Sequence, residues 1–484
     1  MLPNNALYTR KRESAAGRRF RTAIQPQQGS SGYVGSNVLT INIPCQSNQL
    51  LIPSESTLNF TLSGTNSSGN TMAYLRWDSC GAHGLFSRIR IYSGSNLLED
   101  LDNYGQLAKM LFDFQVPQDA AAGRHTVTGG TRSDAYALPQ TVAADFGADD
   151  TLTRAEVVAG VNRLAPVRYS NSGQLIASGI ANGASIGSKN YSINLISLIG
   201  SLSGGKYLPL FACTSSSLRV ELTLVSSLNA ACLCDQVSAN SGSAVTWNLS
   251  NVEFVGEFLQ LSDAAISTIL AGSDNPLQFV CPAFSNYQYT AALANAAQTT
   301  VSVPIAAKYS SLKALMTSVR NTAQGVSTAN YYPFTSHPLS INSVYWRVGS
   351  QVLPSKPLTT NEEIFIETLK VFGSLSDQLY QPACDVESFT LNAPVVGTNG
   401  EPDGTGASGA SVGSGAFVVG VDLEVFAGAD RDSVFQGINT NTDDIFAVIS
   451  HSGAQGAVSS CRYDSYALYD RVLVFENGSC YVRF

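Results

Sequence analysis

Apolar and polar residues alternate with a period of two along much of this 484-residue chain. Leu39, Ile41 and Ile43 are separated by Thr40 and Asn42. Leu58, Phe60 and Leu62 are separated by Asn59 and Thr61, and Ile89 and Ile91 by Arg90. The same beat runs through Leu218, Val220, Leu222 and Leu224, and through Val419, Val421, Leu423 and Val425. Successive side chains of a strand point to opposite faces, so each run predicts a strand with one face in a core and the other in solvent. In the first half, strands are predicted near residues 38–43, 57–62, 85–92, 96–99, 189–195, 207–211, 218–225 and 250–261, with Gly256 read as a bulge. A second group starts near Leu277 and closes with RVLVFENGSCYVRF, where Asn477-Gly478 suits a type I′ hairpin turn.

Helical spacing interrupts this beat at matching places in the two groups. Ser87–Phe112 and Ser343–Phe372 both read as strand, Gly-Ser turn (Gly94-Ser95, Gly349-Ser350), short strand, helix. In the first helix Tyr104, Leu107, Ala108 and Leu111 recur at helical spacing. In the second, Thr360 and Glu363 form a capping box, Phe365, Leu369 and Phe372 make the apolar face, and Gly373 stands at the C-cap. Each helix is expected to cover an open end of its sandwich. Between the groups, Ser262 caps a short helix with Ile266, Ile269 and Leu270 on one face and Gly272 at its end.

Eight strands with large insertions at one end describe a jelly roll. The predicted fold is therefore all-β: two tandem eight-stranded jelly-roll β-sandwiches with short helices and long loop insertions. The expected boundaries are a basic N-terminal arm over 1–35 and a first jelly roll over 36–261, with an insertion at about 115–187. A connector over 262–276 and a second jelly roll over 277–484 follow, the latter with a Gly/Ser-rich insertion at about 392–415. A short helix is also expected around Thr153–Val161.

Charged residues make up only 13% of the chain, about half the usual ~25%. Hydroxyls and amides fill the gap, as on β-rich proteins with large contact surfaces. The net charge of −8 is unevenly spread: Arg10, Lys11, Arg12, Arg18, Arg19 and Arg21 face only Glu13, so residues 1–21 carry +5 and the rest −13. Such an arm either touches something anionic (nucleic acid, lipid headgroups, an acidic neighbour) or is a solvated terminus. No apolar h-region follows the start MLPNNALYTRKRES, so no secretory signal is expected, and the nine cysteines are expected as reduced, mostly buried thiols.

Candidate catalytic motifs fail on context. Gly200–Lys206 (GSLSGGK) matches G-x-x-x-x-G-K, but Tyr207 and Pro209 follow where a P-loop needs a hydroxyl residue and a helix. Gly404–Gly409, Gly409–Gly413 and Gly183–Gly187 fit glycine-rich or nucleophile-elbow patterns without the strand–turn–helix setting those need. The four histidines, His83, His125, His337 and His451, are scattered, and Cys232-Leu-Cys234 lacks a second ligand pair for zinc. The acids Asp149-Asp150 and Asp443-Asp444 are read as loop or strand-end residues. No enzymatic activity, cofactor or metal is expected.

Four segments carry a resemblance: KYLPLFACTSSSLRVELTLVSS (Lys206–Ser227), SVYWRVGSQVLPSKPLTTNEE (Ser343–Glu363), GVDLEVFAGADRDSVFQGINTNTDDIFAVIS (Gly420–Ser450) and YDSYALYDRVLVFENGSCYVRF (Tyr463–Phe484). With them the chain resembles the double jelly-roll major capsid proteins of polinton-like viruses, adintoviruses and virophages, within the adenovirus–tectivirus lineage. The resemblance implies a homotrimer with a pseudo-hexagonal footprint that tiles an icosahedral shell against neighbouring capsomers. It also implies contact with penton and minor capsid proteins, a place in the virion capsid, and assembly inside the host cell. The basic residues Arg10, Lys11, Arg12, Arg18, Arg19 and Arg21 would then meet an internal membrane, a minor capsid protein or genomic DNA at the base. A different reading is a viral attachment or fibre-type β-sandwich with glycan-binding loops.

Overall fold

The alternating runs pair into antiparallel sheets whose inward positions are fully buried. The computed structural model describes residues 17–67, 72–116, 175–236, 245–272, 276–293, 298–321, 330–331, 333–373, 384, 389–390, 395–396, 402–403, 415–425, 437–452 and 460–484. Arg10, Lys11, Arg12, His125, the expected helix at 153–161, the motifs within 404–413 and most of both insertions lie outside them.

The first sandwich has eight principal strands: β1 (Gly17–Ile24), β2 (Val38–Ile43), β3 (Thr57–Asn66), β4 (Phe86–Ser93), β5 (Asn96–Asp102), β6 (Ser185–Ile193), β7 (Leu218–Leu224) and β8 (Val245–Leu261). One sheet runs β1-β8-β3-β6 and the other β2-β7-β4-β5. The second sandwich has β9 (Leu277–Ala292), β10 (Thr299–Ile305), β11 (Leu312–Asn321), β12 (Ile341–Val348), β13 (Gln351–Leu358), β14 (Val418–Asp422), β15 (Ile445–His451) and β16 (Ser460–Glu476). Its sheets run β9-β16-β11-β14 and β10-β15-β12-β13. Each strand of the first sandwich thus has its counterpart eight places on, in the same sheet position. Short strands Gln49–Leu51 and Ser479–Arg483 extend the sheets beside β8 and β16. A further small sheet crosses between the sandwiches, pairing Cys232–Gln236 with Asn330–Tyr331.

Two strand expectations are corrected. Gly17–Ile24 falls inside the span expected as an arm, yet it pairs residue for residue with Leu261–Phe254 of β8. Its charged, exposed positions hid it, because only Phe20 and Ile24 turn inward. Residues 207–211 form instead a single bridge from Leu208 to Leu51 and a 3-10 turn over Leu210–Ala212. Pro209 has no N–H for a ladder. The break in β8 also sits elsewhere: register shifts between Ser250 and Glu253, with Asn251 at φ 52°. Gly256 stays in register opposite Thr22, and a Cβ there would lie 2.7 Å from the Phe258 ring. Its role is to make room for an aromatic side chain.

Turn chemistry follows the sequence. Gly94 and Gly349 take φ 59° and 56° at the first loop position of their two-residue hairpins, as in type II′ turns. Asn477 and Gly478 both have positive φ, 52° and 74°, as a type I′ turn requires.

Among the described residues the helices complete at both ends are α1 (Tyr104–Gln115), α2 (Asp263–Gly272) and α3 (Asn361–Val371). The Thr360 hydroxyl accepts from the Glu363 N–H at 3.2 Å, and the Glu363 carboxylate accepts from the Thr359 N–H at 3.0 Å. The box therefore closes one residue further back than its usual form. Ser262 caps α2 by accepting from Ala265 N–H at 3.4 Å. Ile266 is buried, whereas Ile269 and Leu270 are exposed, so the α2 face is only partly used.

The two long helices were expected over sandwich ends, and α3 is found on a sheet face instead. α3 lies on the face of β14: Thr368 donates to the Val418 carbonyl at 2.9 Å, and a Cβ on Gly420 would meet Val371 at 2.9 Å. β14 is consequently buried on both faces from Val418 to Val421. α1 is buried nearly all round, its polar residues Gln106, Lys109 and Asp113 included. The two helices meet where Phe114 stacks on Phe372 at 5.0 Å between centroids, with Phe365 and Phe389 against them. One continuous apolar core runs through both sandwiches.

Candidate functional site

The described residues that could suggest catalysis are engaged in structural contacts. Lys206 of the GSLSGGK segment donates to the Val280 carbonyl at 3.0 Å, tying the first sandwich to β9. Ser185 begins β6 and accepts from Gly187 N–H at 3.0 Å. His451 is buried, its ring nitrogens 2.9 Å from the Leu339 carbonyl and 2.7 Å from the Tyr463 hydroxyl. Burial, opposed by the Leu339 contact, moves its pKa below the ordinary histidine value. His83 is buried 2.7 Å from the Tyr104 hydroxyl, which also accepts from Ile196 N–H at 2.9 Å. The Asp444 carboxylate accepts from Lys308 at 2.9 Å beside the Gly349 turn. No group of three or more His, Cys, Asp or Glu side chains among the described residues is arranged to hold a metal ion.

Of the six basic residues expected to form an arm, Arg18, Arg19 and Arg21 lie on β1. Arg19 is engaged: it pairs with Glu55 and, at 3.1 Å, with Glu257. Arg18 lies over the Phe20 ring, 5.4 Å from its centroid, and Phe20 stacks on Phe258. Arg18 and Arg21 have no ion pair among the described residues. Both are exposed. Gly17 pairs with Leu261, which leads into α2; α2 leads into β9, whose first residue Leu277 pairs with Phe475 of β16. The strand thus carries Arg18 and Arg21 at exposed positions close to Leu261, where the chain enters α2.

The residues that lock the two sandwiches together were not visible as a group in the sequence. Arg471, 1% exposed, reaches out of β16 to the Glu99 carboxylate of β5 at 3.1 Å and the Leu98 carbonyl at 3.0 Å. Glu99 also accepts from Leu198 N–H at 2.8 Å. Asn96 donates to the Cys480 carbonyl at 3.0 Å, Ser215 N–H to the Gly478 carbonyl at 3.1 Å, and Tyr466 to the Asn103 carbonyl at 2.8 Å. A buried ion pair adds little net stability but punishes misfit, because either charge alone in the interior is costly. Here the pair joins β16 to β5 across the seam. The one signal was a charged pair interrupting an apolar run, Asp470-Arg471 in YALYDRVLVF.

The F-x-G-I-N-T-N stretch has a similar bracing use. Ile438 bridges Leu312, and buried Thr440 donates to the Ala307 carbonyl at 2.9 Å and accepts from Tyr309 N–H at 3.2 Å. On the outer face of the first sandwich, an open groove of about 470 Å³ is lined by Asn59, Thr61, Asn190, Ser192, Asn251 and Glu253. Its aromatic residues Phe60 and Tyr191 are buried, so they offer no stacking platform to a sugar.

No protein-family model matches the chain, and no curated protein matches it in sequence. Solved structures do match. The mavirus major capsid protein superposes with a TM-score of 0.56 at 12% identity, covering 100% of this chain and 93% of that one. A chain from the Sputnik virophage structure gives 0.58 at 14% identity, covering 100% and 92%. The faustovirus major capsid protein gives 0.55 at 9% identity, covering 97% and 92%. Taken with the repeated strand order, these likenesses give the chain the double jelly-roll fold found in viral major capsid proteins.

Proposed function

We propose that this chain is a major capsid protein that assembles into pseudo-hexagonal homotrimers and tiles an icosahedral viral shell. The observation that carries this reading is the repetition of one strand order in two sandwiches locked side by side. Three such chains around an axis offer six similar sides from one gene product. Heterologous contacts between such blocks then extend into a closed shell. A surface poor in charge suits many lateral contacts of modest strength. The protein works through shape, and its partners are copies of itself, penton and minor capsid proteins.

The experiment is expression followed by native mass spectrometry and negative-stain microscopy. The expected species contains three 51.2-kDa chains and shows six-fold-looking top views. A monomer, or an elongated trimer that does not tile, would overturn the reading.

We assign the basic edge, Arg18 and Arg21 with Arg10, Lys11 and Arg12 before them, to contact with an anionic surface at the capsomer base. An internal membrane, a minor capsid protein and genomic DNA are the candidates. Removal of residues 1–16 should leave trimers intact and lower particle yield, with wild-type yield as the refuting result. A cut through residue 21 would confound this test, because it strips most of β1 from β8.

A further inference from the structure

At the seam, on the side where α1 begins, an open cleft of about 600 Å³ lies between the sandwiches. The second sandwich contributes Arg320 from β11 and Arg462 from β16. Both guanidinium groups lean on one buried carboxylate: Arg320 Nη1 is 3.2 Å from Asp464 Oδ2, and Arg462 Nε is 2.8 Å from Asp464 Oδ1. Arg320 uses its other terminal nitrogen on the Pro333 carbonyl. The terminal nitrogens of Arg462 have no partner among the described residues, and its side chain is 33% exposed. Two positive charges against one negative leave this wall with an excess of one; on the opposite side the Asp102 carboxylate accepts from Asn103 N–H at 2.9 Å.

The opposite wall is also rich in donors. Asn103 and Gly105, at the start of the twelve-residue α1, line the cleft. Asn103 sits at φ 50° and supplies no side-chain cap, and its amide Nδ2 is buried without a partner. The first backbone N–H groups of a helix have no intrahelical acceptor and carry its positive pole. The hydroxyls of Ser36 and Ser226 complete this wall.

In a chain with 36 acidic residues and a net charge of −8, no Asp or Glu lines the cleft. The stretches that adjoin the two arginines in sequence, residues 322–329 and 453–459, contain none either. A guanidinium fork facing a helix start and free hydroxyls is the donor set that recognises a tetrahedral oxyanion.

We propose that this cleft binds a phosphate-class oxyanion, which bridges the two sandwiches at the seam. Its function is to tie Arg462 of the second sandwich to the α1 start of the first, so that anion binding stiffens the double unit. This assignment does not depend on the capsid reading.

The test is calorimetric titration of the full-length protein with inorganic phosphate, with chloride at matched ionic strength as reference. Wild type should bind phosphate saturably and gain thermal stability from it beyond the chloride effect. Arg462→Ala, which leaves Asp464 paired with Arg320, should weaken phosphate binding by about tenfold or more. Arg462→Lys should fall between the two, and it serves as the decisive variant if the alanine form does not fold. Identical responses to phosphate and chloride in wild type, or phosphate binding unchanged in the Arg462 variants, would overturn the assignment.

Discussion

Lys109 lies between two carboxylates, 3.1 Å from Asp78 and 3.0 Å from Asp113, with all three side chains 1% exposed. One ammonium cannot neutralise two buried carboxylates. Burial pushes the Asp113 carboxyl up to about 6 from its ordinary 3.8, against the pull of Lys109 and with Asp78 adding to the rise. Between those pH values the folded chain holds a proton that the unfolded chain has lost. Raising the pH through that window therefore weakens the fold. Asp113→Asn removes this dependence: its melting temperature relative to wild type should rise as pH goes from 4 to 7. A constant difference across that range would refute the account. The sequence hinted at the pair through the i,i+4 spacing of Lys109 and Asp113, a spacing usually found on a solvated helix face. Its burial follows from contacts made by residues far along the chain, among them the Cys384 N–H that donates to the Asp113 carbonyl at 2.8 Å.

Elements whose signals are local were legible. The capping box predicted the start of α3, and the cap can be tested directly. Thr360→Ala should cost about 1 kcal/mol, read as roughly fivefold faster hydrogen exchange of first-turn amides in α3. Unchanged exchange would show that packing of Thr368 and Val371 against β14 holds that turn without the cap. Elements whose pattern mixes two environments were read less well. β1 looked like a basic arm because six of its eight residues are exposed. β14 looked half-buried because Gly420 and Asp422 alternate with valines, whereas α3 covers its second face. In both cases a neighbour remote in sequence supplies the other half of the environment: β8 for β1, and α3 for β14.

For the molecule as a whole, the Arg471–Glu99 pair should behave as a specificity device. Arg471→Met alone leaves the Glu99 charge buried and should cost about 3–5 kcal/mol. Combining it with Glu99→Gln, which can still accept from Leu198 N–H, should recover at least half of that cost in chemical denaturation. Additive losses in the double variant would mean that the pair stabilises the seam outright. The sequence by itself determined the all-β class, two sandwiches in tandem, most strand positions, the three hairpin turns and the helix caps. Each of these depends on side-chain periodicity or on a backbone requirement within a few residues. Only the tertiary structure decided that β1 belongs to the first sandwich and that α1 is swallowed whole. It also decided that charged residues some 370 positions apart meet as an ion pair, and that two arginines face a helix start across a cleft. Those outcomes depend on which distant segments share a low-dielectric interior, and a linear pattern carries no record of that.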